Sequence, residues 1–177
     1  MRKIEIAPWT ENWLKLYRQE EALLRPIFVN ELLDIHHIGS TSVPLIGFAK
    51  PIIDILISVK DIAKVDEYNE QMVHVGYVPR GERGIAGRRY FTKGGDHRTH
   101  HVHIYEAGNI NIDYHLNFKE YLIHHPGEAK AYGELKLVLA RQSPDNVHAY
   151  QDGKEAFCTR LVKKAMHWAS VKENKEQ

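Results

Sequence analysis

The segment Pro51-Ile-Ile-Asp-Ile-Leu-Ile-Ser-Val59 constrains the fold more than any other stretch of the chain. A near-continuous apolar run of this length reads as a strand buried on both faces, with proline at its first position, where a missing N–H does least harm. Such a strand needs a layer of structure on each side. The flanking sequence supplies it. Thr10 is placed to cap a helix running to about Phe28, with Trp13, Leu16, Tyr17, Leu24, Ile27 and Phe28 at helical spacing and Pro26 bending or ending it. Asp61 is placed to cap a second helix that carries Ile62, Val65, Tyr68, Met72 and Val73 on one side. From about Ile110 the pattern is helical: one helix around Leu116, Tyr121 and Leu122, one opened by Pro126 and running through Leu139, and one from Asp145 through Trp168. Further strands are expected at 32–38, 76–78, 88–92 and 100–105, between Gly-rich turns. The fold class expected is α/β (α+β): a mixed sheet flanked by helices, with C-terminal helices, in a single domain spanning 1–177 whose tail frays from about 170.

Composition narrows the function classes. The 24 Lys+Arg against 23 Asp+Glu leave a net charge of +1, which lacks the uniform field of a general nucleic-acid binder. No apolar run approaches the ~20 residues of a membrane span, and the opening Met-Arg-Lys-Ile-Glu-Ile lacks the pattern of a signal peptide. The single cysteine, Cys158, has no intrachain disulfide partner, which favours a reducing cytoplasm. Its neighbours Phe157 and Leu161 give it the setting of a small buried hydrophobe. Histidine, at 12 residues, is the outlier.

Three groups of residues carry chemistry. Gly39-Ser40-Thr41 breaks a strand: a small bend of this kind exposes backbone N–H groups to a phosphate, and a helix starting at Ser40 or Thr41 would add its dipole. On the next strand Asp54 is placed to hold a divalent cation facing that phosphate. The bend and aspartate equally suit a tight turn, a cap and a half-buried ion pair. In His101-Val102-His103, alternate residues share one strand face, so both imidazoles point the same way and can grip a metal or a phosphate. His100 faces oppositely, and His97 lies in the preceding turn. Two histidines alone make an incomplete metal site, and Tyr105 stands where a third would complete a His-x-His-x-His series. Lys50, Arg80, Arg83, Arg88, Arg89 and Lys93, interleaved with glycines, suit phosphate binding or a solvated hairpin.

The blocks His37-Ile-Gly-Ser-Thr-Ser-Val-Pro44, Lys50-Pro-Ile-Ile-Asp-Ile55, Gly87-Arg-Arg-Tyr-Phe91, Arg98-Thr-His-His-Val-His103, His115-Leu-Asn-Phe-Lys-Glu-Tyr-Leu122, His125-Pro126, Tyr132, Leu135-Lys136 and Ala149-Tyr-x-x-Gly-Lys-x-Ala-Phe157 resemble, in order and spacing, the GrpB family over about residues 3 to 168. The resemblance implies a nucleotidyltransferase-like fold, with Gly39-Ser40 at the phosphate loop and Asp54 in the metal-binding strand. It also implies an occasional fusion to dephospho-CoA kinase. Nucleotidyltransferases usually carry Asp-x-Asp there, whereas the same-face neighbours of Asp54 are Ile52 and Leu56. The position of the usual third carboxylate falls near His101 and His103. Val43-Pro-Leu-Ile-Gly47 is one residue longer than the family block, and Lys119 stands where an arginine is usual.

Two functions are expected. In one, a nucleotidyl or phosphoryl group passes from a nucleotide, or another phosphate-containing small molecule, to an acceptor. Gly39, Ser40 and Thr41 hold phosphate, Lys50, Arg88 and Arg89 stabilise charge, and Asp54 with His103 binds Mg²⁺ or Mn²⁺. Asp54, His101 and His103 form the catalytic group, a histidine moving a proton or replacing a metal ligand. In the other, the chain is a non-catalytic nucleotide- or CoA-binding accessory module linked to coenzyme A synthesis. A zinc-dependent hydrolase using the histidines is a third option.

Overall fold

The computed structural model describes residues 4–176. Among the described residues there are seven strands: β1 (Ala7–Pro8), β2 (Leu32–Ile38), β3 (Phe48–Ala49), β4 (Ile53–Val59), β5 (Tyr77–Pro79), β6 (Arg88–Lys93) and β7 (His100–Glu106). The five α-helices are α1 (Asn12–Leu24), α2 (Asn69–His74), α3 (Ile110–His124), α4 (Pro126–Gln142) and α5 (Val147–Glu176). A five-stranded sheet has the order β2-β4-β7-β6-β5, and β1 pairs with β3 in a separate short ribbon. Within the large sheet β4 and β7 run parallel, and every other neighbouring pair is antiparallel. The apolar strand read from the sequence is thus β4, second in the sheet and beside the central β7.

The period of two along β4 divides its side chains between two layers. Ile53, Ile55, Ile57 and Val59 join Val102, Ile104 and Phe91 in a core with Phe28, with Trp13 and Leu24 of α1, and with Met72 of α2. Each fully buried aliphatic side chain contributes about 1.5–3 kcal/mol, so this layer dominates the stability of the sheet. On the opposite face Ile38, Leu56 and Tyr105 pack against Ile112 and Leu116 of α3. A third cluster joins Val43 and Ile46, in the connector after β2, to Tyr121, Leu122, Ala129, Tyr132, Leu161 and Ala165 of the three C-terminal helices.

Three elements differ from the sequence reading. Helix α1 stops at Leu24, two residues before Pro26, whose ring cannot sit in a continuing helix. The turn after it still delivers Phe28 to the core at 0% exposure. Asp61 Oδ1 accepts from the Ala63 N–H at 2.9 Å, but the N-cap position belongs to Ile62, and the segment begins as a 3₁₀ helix, Ala63–Tyr68, before α2. Val73 lies on the exposed side of α2. The C-terminal helix extends through Glu176, beyond the Trp168 end read from the sequence. Among the described residues no helix is long and apolar enough to cross a membrane.

Candidate functional site

Asp54 lies opposite His101, and Leu56 opposite His103, in the parallel β4–β7 ladder. That register puts the carboxylate and both imidazoles on the α3 side of the sheet. His101 Nδ1 is 3.0 Å from Asp54 Oδ1 and His103 Nε2 is 3.7 Å from the same oxygen. A carboxylate only accepts, so His101 Nδ1 carries the proton of that hydrogen bond. Burial pushes the Asp54 carboxyl up, but the hydrogen bonds and charges of His101 and His103 outweigh it and hold the group well below the usual carboxylate range. One ligand atom from each of Asp54, His101 and His103 lies within 4.8 Å of the others, a spacing that admits a metal ion. His115 of α3 joins from above, its ring centroid 5.2 Å from that of His103. Burial pulls His115 down to about 4, and the adjacent His103 pushes the same way.

The bend before this strand is built on Gly39. Its φ of 70° and ψ of −174° lie in a region reserved for glycine, and a Cβ there would stand 2.6 Å from Asp54 Oδ2. The bare Cα therefore lets the bend close onto the carboxylate. Ser42 fixes the turn by donating from its backbone N–H and its Oγ to the Gly39 carbonyl, at 3.1 and 2.7 Å. The helical segment here is one 3₁₀ turn, Ser40–Ser42, too short to present a helix dipole.

Ser40, Thr41, Lys50, Asp54 and His101 line a cavity of about 1110 Å³, whose wall also holds Arg98, Tyr132, Lys136, Tyr150 and Lys154. Basic side chains Lys50, Arg98, Lys136 and Lys154 meet acidic Glu5, Asp54 and Asp96 around it. Lys50 Nζ sits 4.1 Å above the Tyr150 ring. Thr41 is committed to the frame: its hydroxyl donates to the Ile52 carbonyl at 3.3 Å and accepts from His37 Nε2 at 2.9 Å. His37, stacked on Tyr17 and 5% exposed, is pulled down to about 4 by burial, with Lys119 adding to the effect. Lys119 itself donates to the His37 carbonyl at 3.0 Å, so it ties α3 to β2 and stays off the cavity wall.

Two arginines expected at the site are placed elsewhere. Arg89 pairs with Ile104 in the β6–β7 ladder and so faces the layer opposite Asp54. Its guanidinium is held by Asp66 in a two-pronged contact, at 2.7 and 2.8 Å. Arg88 shares the face of His103 but is 8% exposed, donates to the Glu82 and Arg83 carbonyls and lies 4.7 Å over Tyr90; it secures the loop between β5 and β6.

Lys136, quoted in the sequence only as part of the family resemblance and given no role there, joins this site. It lies on the buried stripe of α4 with Ala129, Tyr132 and Gly133, is 3% exposed, and its Nζ contacts Ser40 Oγ and overlies the Tyr132 ring at 4.3 Å. Burial pulls the ammonium down to about 7, and Lys154 and Lys50 push in the same direction. A lysine within an apolar stripe at helical spacing was the available signal. Gly133 brings it there: a Cβ at that position would collide with the Ile46 carbonyl oxygen, so only a glycine lets α4 rest on the connector backbone.

The chain matches the GrpB protein family over residues 3–164. It is 48% identical over 173 residues to UPF0157 protein YqkA of Bacillus subtilis, covering 98% of this chain and 50% of that protein. A "Dephospho-CoA kinase" of Mycobacterium leprae is 29% identical over 185 residues, covering 89% of this chain and 45% of that protein. The chain thus spans about half the length of these two curated relatives. The crystal structure of conserved protein GrpB from Enterococcus faecalis superposes with a TM-score of 0.89 at 40% identity, over 93% of this chain and 99% of that one. With a matching family profile over most of its length and a relative of the same fold over nearly all of it, the chain belongs to the GrpB protein family.

Proposed function

We propose that the cavity binds a nucleoside triphosphate with one divalent cation and transfers its nucleotidyl or phosphoryl group to an acceptor. The observation that carries this reading is the cluster of Asp54, His101 and His103, of which Asp54 and His101 line a lysine- and arginine-bearing cavity large enough for a nucleotide while His103 stands behind them. One carboxylate and two imidazoles form a donor set that fits Mn²⁺ or Zn²⁺ better than Mg²⁺, which prefers oxygen ligands. The lone carboxylate on β4 argues for one ion rather than the pair that an Asp-x-Asp would support. Bound there, the ion would supply charge neutralisation at a phosphate oxygen. Lys50, Arg98 and Lys154 would meet the phosphates from the other walls, and Tyr150 offers an aromatic surface. Binding of each of the four nucleoside triphosphates, measured by calorimetry with Mn²⁺, Zn²⁺ or Mg²⁺ and followed by product analysis, tests the reading. Cation-dependent binding and turnover, both lost in Asp54→Asn, are expected. Absence of binding by all four, or an unaffected Asp54→Asn, refutes it.

A second reading, a non-catalytic nucleotide- or CoA-binding module that serves coenzyme A synthesis, is supported by the relative named dephospho-CoA kinase. Binding that survives EDTA with no product formed selects it over the first.

A further inference from the structure

We propose that Ser40 is a nucleophile, with Lys136 as its general base, that takes a nucleotidyl group onto its own Oγ before the acceptor receives it. The identity of the electrophile rests on the proposed nucleotide binding; the nucleophile–base pair rests on geometry. Lys136 Nζ and Ser40 Oγ are in direct hydrogen-bond contact inside the cavity. The amine reaches the serine from a position that is 3% exposed, whereas a lysine serving only to attract phosphate gains from a hydrated, mobile stem. Gly133 seats α4 on the connector, and the Ser42 hydrogen bonds to Gly39 hold the bend, so neither partner of the pair is free to drift. The same bend closes on Asp54, so a phosphate near the Asp54–His101–His103 group is also near Ser40. When charged, Lys136 donates to the hydroxyl; when neutral it accepts the hydroxyl proton, which is the state a base requires. Burial and the like charges of Lys154 and Lys50 favour the neutral form near neutral pH, against the opposing pull of Cys158 and Asp54.

The step balances. Ser40 Oγ bonds to the α-phosphorus, the bond from that phosphorus to the bridging oxygen breaks, pyrophosphate leaves with the electron pair, and the serine proton passes to Lys136. An acceptor hydroxyl then attacks the same phosphorus, and Oγ departs and recovers a proton from Lys136. The amine then takes the acceptor's proton and releases it to solvent. Net products are the nucleotidylated acceptor, pyrophosphate and one proton.

Two probes separate the pair from the nucleotide. Diisopropyl fluorophosphate needs no recognition site, and peptide mass spectrometry is expected to locate its label on Ser40, with none there in Ser40→Ala. Lys136→Arg keeps the charge but cannot give up a proton near neutral pH, so labelling should slow about 100-fold or more. A lysine that only clamps phosphate would be rescued by arginine, and labelling at the wild-type rate overturns the proposal. Should Lys136→Arg fail to fold, the wild-type pH profile decides. Labelling must rise through about pH 7, with Lys154, Lys50, Cys158, Asp54 and Tyr132 facing the amine, and a flat profile overturns the proposal. Nucleoside triphosphates radiolabelled at the α-phosphate, with Mn²⁺, are expected to leave label on Ser40 after denaturation. Nucleotide turnover that persists in Ser40→Ala overturns the covalent step and leaves the nucleotide reading standing. Fluorophosphate labelling of Ser40 without any nucleotide binding leaves the pair standing and removes the nucleotide.

Discussion

Gly39→Ala probes the joint between the bend and the face that carries Asp54, His101 and His103 directly. The substitution has two costs. The φ of 70° with ψ of −174° is a conformation that an alanine holds only at about 1–3 kcal/mol. The added methyl would also stand 2.6 Å from Asp54 Oδ2 and 3.1 Å from Asp54 Cβ, so the carboxylate must retreat by several tenths of an ångström. Asp54 has little room to do so, because His101 holds its other oxygen at 3.0 Å; overpacking of this kind adds about 1–3 kcal/mol. A combined loss of about 4 kcal/mol lowers the melting temperature by roughly 8–16 °C for a domain of this size. Gly47→Ala is the matched control: its φ is 76°, but nothing lies within 4 Å of the added methyl, so it incurs the backbone cost of about 1–2 kcal/mol without the clash. Thermal unfolding by circular dichroism at neutral pH, together with Mn²⁺ titration, measures both effects. Gly39→Ala should melt well below Gly47→Ala and bind Mn²⁺ at least tenfold more weakly than wild type. Equal melting of the two variants with unchanged Mn²⁺ affinity would show that the bend does not constrain the carboxylate, and the reasoning would fail.

Other perturbations separate frame from site. Arg89→Ala removes the two-pronged contact with Asp66 and is expected to destabilise the fold by about 1 kcal/mol while leaving nucleotide and Mn²⁺ binding unchanged; a binding defect in a variant of native stability would return Arg89 to the site. His37 is pulled from an ordinary value near 6.5 down to about 4, so the unfolded chain takes up its proton first on acidification. Its contribution is complete above about pH 6.5 and is lost as pH falls towards 4, at up to about 1.4 kcal/mol per pH unit, seen as the difference in urea midpoints between wild type and His37→Gln. Identical pH slopes in the two proteins would refute this. Gly133→Ala forces α4 off the Ile46 carbonyl and should cost about 1–3 kcal/mol and slow Ser40 labelling, both measured against wild type.

The parts of the site that lie on strands were legible because a strand's period of two is rigid. Asp54 and the His101–His103 pair could be assigned to faces from spacing alone, and the structure places all three on one face. The same rule shows that Arg88 and Arg89 cannot both join them, but which arginine turns away depends on the register of β6 against β7, a long-range pairing that local sequence does not encode. The role of Lys136, beyond its place in the family resemblance, was hidden for a different reason. A lysine defaults to the surface unless the partner of its helix is known, and the partner of α4 is a connector some ninety residues earlier. Phe28 carried helical spacing yet reaches the core from a turn, because packing rewards its position in space and not the path of the backbone.

The seat of α4 on the connector also determines which side of the pocket can yield. That contact is backbone against backbone, with no rotamer to relax, so the wall bearing Tyr132 and Lys136 behaves as a fixed anvil. Where α5 meets α4, by contrast, Gly153 rests on the flexible end of the Leu139 side chain, which can swing. Between these two helical walls, the side that yields to a bulky guest is therefore the first turns of α5, the segment that carries Tyr150 and Lys154.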